Sequence, residues 1–98
     1  MTRRVEIHPS AAREARDARR WYAERDPEIA EVYVEELRWV LDAVATRPAS
    51  FAPYFGGTRR ASFRGFPYAV IFRDLGDAAR VLAVMHERRR PDYWARRR

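Results

Sequence analysis

A group of side chains that could move protons, hold anions or stack on bases follows an apolar run near the end of this chain. The run, residues 81–85, has the composition of a buried strand. Histidine exchanges a proton near neutral pH, and arginine contacts phosphate or carboxylate through a planar, bidentate guanidinium. We therefore expect a working surface where this strand leaves the core. Its candidate target-binding residues are His86, Arg88, Arg89, Tyr93 and Trp94.

Each of these side chains also has a purely structural interpretation. Because the sequence identifies no acidic partner, the pattern favours His86 as a hydrogen-bonded strand end over His86 as a proton shuttle. The three arginines at 88–90 form either an anion clamp or a solvated turn, and they cannot all face one ligand. Tyr93 and Trp94 either stack on a base or fold back over the sheet, and folding back is the favoured prediction for Trp94.

Three earlier arginines are further candidates for holding an anion. Arg59 and Arg60 fall within a predicted strand, and Arg64 falls in the turn that follows it. Successive residues of a strand point to opposite faces. Only one of Arg59 and Arg60 can therefore join the C-terminal groups on one surface.

The basic charge is concentrated in the second half of the chain. The formal net charge is +6, and all 20 basic residues are arginine. Residues 1–45 carry a net charge of −2, whereas residues 46–98 carry +8. This asymmetry predicts that an anionic partner, either nucleic acid or an acidic protein segment, binds the second half.

The composition excludes several kinds of chemistry. Without lysine there is no Schiff-base catalysis and no P-loop lysine, and without cysteine there are no disulfides and no thiol chemistry. No N-terminal run is long and apolar enough for a signal peptide or a membrane span. We expect a soluble, cytoplasmic protein of one domain over residues 1–98, with no cofactor, no bound metal and no membrane partner.

The first half of the chain predicts a short strand followed by a helical hairpin. Residues 3–7 alternate polar and apolar, and apolar residues then recur at helical spacing over 11–25 and over roughly 28–46. A proline and a capping side chain precede each helical segment, which is typical of helix starts. The first cap is either His8 or Ser10, and the second is Asp26. The short connection predicts that the two helices are antiparallel.

The second half predicts a sheet. A loop over 47–57 carries several aromatic residues that should pack on the core. Strands are then expected over 58–63, 67–73 and 80–86, joined by turns into a three-stranded antiparallel meander. The order of elements is β-α-α-β-β-β. It predicts an α+β domain in which the helical hairpin covers one face of a small sheet.

Periodicity also predicts which side chains share a face. Tyr68, Val70 and Phe72 should lie on one side of their strand, and on the last strand residues 81, 83 and 85 should lie opposite residues 82, 84 and 86. Trp21 and Tyr22 are expected to pack in the core or between the helices. The stripe on the second helix is also expected to be core, although part of it could form a groove for a partner: Ile29, Val32, Tyr33, Leu37, Val40, Leu41 and Val44.

Five short motifs occur in an order and spacing typical of one known family. They are Trp21-Tyr22 after an alanine-rich helix, Arg47-Pro48, Arg59-Arg60, Phe66-Pro67-Tyr68, and the stretch from Val81 through His86, Arg89, Pro91, Tyr93 and Trp94 to Arg97. With these motifs the chain resembles the ParE/RelE superfamily of bacterial type II toxin-antitoxin toxins over nearly its whole length. The superfamily fold has the same order of elements as the one predicted above.

The resemblance implies a growth inhibitor that a cognate antitoxin holds inactive. ParE-like members inhibit DNA gyrase, whereas RelE-like members cut messenger RNA in the ribosome, and fold alone does not choose between them. The antitoxin is expected to be small, acidic and partly disordered, with a C-terminal segment that folds on the toxin.

The motifs are closer to the ParE-like branch. An RNA-cleaving member must activate a ribose hydroxyl, stabilise the phosphate and protonate the leaving oxygen. The candidates for these roles are His86, Arg89, Tyr93 and Arg60. Pro67, however, stands where several nucleases of the superfamily carry a catalytic arginine. The favoured prediction is gyrase inhibition without chemistry; the alternatives are a ribosome-dependent messenger RNA endoribonuclease and an inactive binding or regulatory member.

Overall fold

The helices and strands follow the order that the sequence predicts, with one additional short strand. The structure is a computed structural model that describes residues 2–98. Its helices are α1 (Pro9–Ala23) and α2 (Pro27–Thr46), and single 3-10 turns occupy Pro48–Ser50 and Phe55–Gly57. The strands are β1 (Arg4–Ile7), β2 (Ala52–Pro53), β3 (Arg59–Ser62), β4 (Tyr68–Asp74) and β5 (Ala78–His86).

Both helices begin as their sequences predict. The Nδ1 atom of His8 accepts a hydrogen bond of 3.0 Å from the backbone N–H of Ser10, so His8 is the N-cap of α1. The Asp26 carboxylate accepts a bond of 2.9 Å from the N–H of Glu28 and caps α2 in the same way. In each helix the proline at the first position lacks only an N–H that would have no partner within the helix.

The two helices form the predicted antiparallel hairpin. The hydroxyl of Tyr33 donates to the carbonyl of Ala15 at 3.1 Å, and Arg19 lies 3.8 Å from Glu31. Between these two contacts the residue number rises along α1 and falls along α2, so the helices run in opposite directions. Ala11 and Ala18, which are buried on α1, are small enough to let the helix approach the sheet closely.

The sheet has five strands in the order β1-β5-β4-β3-β2. The antiparallel meander of β3, β4 and β5 is present as predicted, and β1 adds to it by pairing parallel to the first half of β5. The predicted loop over 47–57 is not wholly irregular, because Ala52–Pro53 pairs with β3 as a two-residue edge strand. A strand this short with a proline has no alternating pattern to detect, and proline is tolerated there because the strand is an edge.

A β-bulge changes the faces of the last strand. Ile71 pairs with Ala83 and Phe72 pairs with Val81, so Leu82 is an extra residue on β5. Val81 consequently belongs to the helix-side cluster, whereas Leu82, Ala83 and Met85 belong to the opposite one. The predicted alternation of 81, 83 and 85 against 82, 84 and 86 is wrong at the bulge, because an inserted residue shifts the alternation of a strand.

The sheet is covered on both faces. The helix-side core joins Val70 and Phe72 of β4 with residues of both helices, as the alternation on β4 predicts. The other face, with Ala69 and Ile71, has no helix and is covered by Trp94, with Tyr54 and Tyr93 at its border. Among residues 2–98 no helix is long and apolar enough to cross a lipid bilayer.

Several predicted core residues are exposed. Trp21 is 50% exposed, whereas its neighbour Tyr22 is partly buried against the core. On α2, Tyr33, Val40 and Val44 are buried and Leu37 and Leu41 are partly buried, as predicted. Ile29 and Val32 of the same stripe are 42% and 51% exposed. The apolar stripe on α2 is wider than the part of the helix that packs on the sheet. The apolar side chains near the N-terminus of α2 therefore face solvent.

Candidate functional site

A groove lies where the C-terminal part of α1 meets the ends of β4 and β5. Its volume is about 490 Å³. Three of the eight candidate target-binding residues, His86, Arg89 and Tyr93, line it together. The α1 side contributes Glu14, Asp17 and Trp21, and Pro67 and Tyr68 stand at the entry of β4. The C-terminal groups thus share one concave surface with α1.

His86 is held at the end of β5 by bonds to the turn that follows. Its Nδ1 atom accepts a hydrogen bond of 3.0 Å from the backbone N–H of Arg88, and its carbonyl accepts one of 3.0 Å from the N–H of Arg89. The ring meets Tyr68, its partner across the sheet, edge to face at 5.1 Å. Because Nδ1 is an acceptor, neutral His86 carries its proton on Nε2. No carboxylate within residues 2–98 forms an ion pair with it.

Arg89 has a free guanidinium above an aromatic ring. Its central carbon lies 3.9 Å from the centroid of the Tyr93 ring, and Arg97 lies 5.0 Å from the same centroid. Contact with the ring faces holds these cations without occupying their N–H donors. Arg89 is exposed and joins no ion pair in the described part of the chain. Its donors can therefore bind a phosphate or a carboxylate at the mouth of the groove.

Tyr93 is fixed and protonated. Its hydroxyl oxygen is buried and lies near the Glu14 carboxylate without forming a hydrogen bond of normal geometry. Burial, and then the neighbouring Glu14 carboxylate, raise the pKa of Tyr93 far above its ordinary value. The phenol can donate a proton in a hydrogen bond at neutral pH, but it cannot serve as a general base.

Glu14 and Arg97 support the groove from below, and no sequence pattern predicts that they pair. The two side chains make a bidentate ion pair with distances of 2.9 and 3.1 Å. Glu14 also accepts the N–H of Val84 at 3.0 Å, and Arg97 donates to the carbonyl of Leu82 at 3.0 Å. These bonds occupy the edge of β5 beyond the end of β1. They hold the C-terminal segment against the sheet, so that Tyr93 lines the groove.

The other five candidates lie elsewhere. Arg59 donates to the carbonyl of Phe51 at 2.6 Å, and Arg60 lies on the opposite face over Tyr54. Arg64 lies 4.8 Å from the ring of Trp39 on α2, and its backbone N–H donates to Glu36. Arg88 is exposed on the turn after β5 and does not line the groove.

Trp94 is 2% exposed and stacks near Tyr54 at 6.1 Å. It is the lid over the second face of the sheet that the sequence favoured, and it presents no ring surface to a target. In residues 2–98 no three His, Cys, Asp or Glu side chains are grouped to hold a metal ion.

Comparison with known proteins gives a consistent family. A family model described as "ParE toxin of type II toxin-antitoxin system, parDE" matches residues 5–91. The chain is 31% identical over 93 residues to the protein named Toxin ParE2 of Mycobacterium tuberculosis, in strains CDC 1551 / Oshkosh and ATCC 25618 / H37Rv; the match covers 94% of this chain and 89% of that protein.

A solved structure described as "Chromosomal ParDE TA system from P. aeruginosa" has a similar fold. The superposition has a TM-score of 0.75 and covers 87% of this chain and 96% of that one, with 17% sequence identity. At this identity the likeness concerns the fold alone, and it supports the α+β architecture described above.

Proposed function

This chain belongs to the ParE toxin family of type II toxin-antitoxin systems, and on that premise we propose that it arrests growth by binding DNA gyrase, without chemistry of its own. The observation that carries the proposal is a groove with an exposed arginine that joins no ion pair in residues 2–98, but with no pair of groups suited to acid-base catalysis. Arg89 offers free donors, whereas His86 uses Nδ1 within the turn and has no carboxylate partner in residues 2–98.

The groove lacks parts that RNA cleavage requires. A ribonuclease needs a base, an acid and charge on the phosphate at one place. The raised pKa of Tyr93 removes it as a base. Pro67, at the position where the resemblance implies a catalytic arginine in nuclease members, lines the groove without a charge. Arg60, the remaining candidate, lies on the other face of the sheet.

A gyrase supercoiling assay tests the proposal directly. We expect the purified chain to inhibit supercoiling, and Arg89→Ala to weaken inhibition by about tenfold to a hundredfold, since one charge-assisted contact is worth about 1.5–3 kcal/mol. Arg96→Ala is the matched control, because Arg96 is exposed in the same segment and does not line the groove. Unchanged supercoiling at a large excess of the chain would rule out gyrase as the target.

One observation favours the alternative of a ribosome-dependent ribonuclease. His86 keeps Nε2 available in the same groove as Arg89, which is the smallest set that could shuttle a proton next to a bound phosphate. Mapping of RNA 5′ ends after induction would then show cuts at fixed codon positions, and these cuts would disappear in His86→Ala. Intact transcripts in growth-arrested cells exclude the nuclease. Cells that keep growing on induction without a partner indicate an inactive binding member.

The antitoxin that we propose is an acidic protein whose disordered C-terminal segment folds over the groove. Two observations support this proposal: the net positive charge of residues 46–98, and the exposed apolar and aromatic surface beside Arg89. Acidic side chains would pair with the arginines while apolar side chains cover Trp21. Co-expression with the adjacent gene should yield a complex that weakens as salt rises. A product of that gene that fails to co-purify contradicts the proposal.

A further inference from the structure

The outward face of the helical hairpin carries two ridges of opposite charge. On α1, Arg13, Arg16 and Arg20 recur at i, i+3 and i+7 and are all exposed. On α2, Glu28, Glu35 and Asp42 recur at intervals of seven and are also exposed. Side chains at these intervals lie on one side of a helix. One helix therefore presents a basic ridge and its neighbour an acidic one.

Most of this charge is not neutralised within the chain. In residues 2–98 the ion pairs that involve the ridges and their flanks are Arg20 with Asp17 and Arg19 with Glu31, both at 3.8 Å. Arg13, Arg16, Glu28 and Glu35 join no ion pair there. The hairpin therefore presents a basic ridge next to an acidic ridge, and most charges on both are unpaired. Such a surface is complementary in charge to a second copy of itself.

The acidic ridge runs beside large apolar side chains that the fold leaves uncovered. Val32 is 51% exposed and Trp39 is 45% exposed, and a hollow of about 310 Å³ lies between them. Trp39 lies on the side of α2 that packs on Arg64, which is the side away from α1. The contacts of Arg19 with Glu31 and of Tyr33 with Ala15 give the relative levels of the two helices, and they place Glu35 at the level of residues 13–15.

We propose that this face binds the same face of a second copy of the chain. A two-fold axis that runs along the hairpin, between its helices, places α1 of each copy over α2 of the other. The basic ridge then meets the acidic ridge twice, and Arg13 and Arg16 of one copy lie on either side of the level of Glu35 of the other.

The size of the face predicts a weak dimer. Helices of 15 and 20 residues are about 22 and 30 Å long at 1.5 Å per residue. Two such helices side by side present less than the roughly 800 Å² per partner of a standard stable interface. Association should therefore depend on protein concentration and should weaken as salt screens the two ridges. The inference is independent of the gyrase proposal, because it involves none of the residues assigned to the target.

Charge reversal provides the test, by sedimentation equilibrium of the purified full chain over a range of concentrations. In Arg16→Glu the repulsion occurs twice, so we expect the dissociation constant of the dimer to rise by about tenfold or more. Glu35→Arg should weaken the dimer to a similar degree. The double variant with both changes restores opposite charges across the axis, and an equimolar mixture of the two single variants should form a heterodimer.

Matched controls reverse exposed charges away from the hairpin. The side chains of Arg96 and Glu87 have no partner in the described part of the chain. Arg96→Glu and Glu87→Arg should therefore leave the dissociation constant of the dimer within about twofold of the value for the unaltered chain. Circular dichroism of each variant reports folding separately from association. A chain that stays monomeric at every concentration overturns the proposal, as does a double variant that remains as weak as the single ones.

Discussion

At the scale of single residues, Glu14 connects α1, the edge of β5 and the C-terminal segment. Its side chain and that of Arg97 are only 17% and 19% exposed. Glu14→Ala leaves the Val84 N–H and the Arg97 guanidinium without their acceptor, so we expect the free energy of unfolding to fall by about 3 kcal/mol. Urea denaturation measures the change. Glu24→Ala, at an exposed position after α1, should change stability by less than about 0.5 kcal/mol; equal losses in both variants would contradict the role of Glu14.

Asp74 gives a prediction for pH. Arg3, bonded at 3.1 Å, and the N–H of Gly76 at 2.9 Å lower the pKa of Asp74 below its ordinary value. A carboxyl group with a lowered pKa in the folded chain stabilises the fold above the unfolded pKa of about 3.9, and this contribution is lost as pH falls through the folded value. Asp74→Asn should therefore be less stable by about 1 kcal/mol at neutral pH. The difference should disappear in acid; a constant difference down to the lowest pH would refute this.

At the scale of elements, two glycines shape the turn between β2 and β3. Gly56 and Gly57 have φ angles of 64° and 76°. Residues other than glycine adopt such positive φ angles only at a cost in free energy. A Cβ on Gly56 meets open space, whereas one on Gly57 lies 3.2 Å from a guanidinium nitrogen of Arg73, which binds the Gly56 carbonyl. We expect Gly56→Ala to cost about 1 kcal/mol and Gly57→Ala to cost more. Thermal unfolding compares them, and a larger loss at Gly56 would be evidence against the Arg73 contact.

The sequence predicted the long elements well and the short ones poorly. Helix caps at His8 and Asp26 and the alternation on β4 are local signals, and they hold in the structure. The bulge at Leu82 and the edge strand Ala52–Pro53 leave no local pattern, because each depends on a partner strand elsewhere in the chain. Trp21 and Val32 look like core residues by spacing alone, and only the width of the sheet decides that they are exposed.

At the scale of the whole molecule, distant parts of the chain build the candidate site. His86, Arg89 and Tyr93 are close in sequence, and their grouping could be predicted from the end of one strand. Glu14 and Arg97 are 83 residues apart, and no periodicity or motif announces such a pair. The C-terminal residue also contacts the sheet, where Arg80 of β5 donates to the carbonyl of Arg98 at 2.6 Å. The C-terminal segment is thus part of the fold and part of the groove at the same time.

Within the C-terminal segment, Trp94 contributes to the stability of the fold but does not line the groove. The ring covers Ile71, Leu82 and Met85 on the face without helices, and its Nε1 finds no acceptor within residues 2–98. Trp94→Ala should cost about 3–5 kcal/mol, a large fraction of the 5–15 kcal/mol that typically holds a domain. Trp94→Phe loses less, because it keeps an aromatic ring and removes the unpaired donor. Urea unfolding gives both values.

Because Trp94 is outside the groove, the two variants should inhibit gyrase in proportion to the fraction of molecules that is folded. Comparing inhibition at a temperature where Trp94→Ala is folded removes the effect of stability. Trp94→Phe should then equal the unaltered chain, whereas Arg89→Ala should remain weak although it is fully folded. A folded Trp94→Phe that had lost inhibition would show that the target contacts this face of the sheet, and the groove would no longer be sufficient as the binding surface.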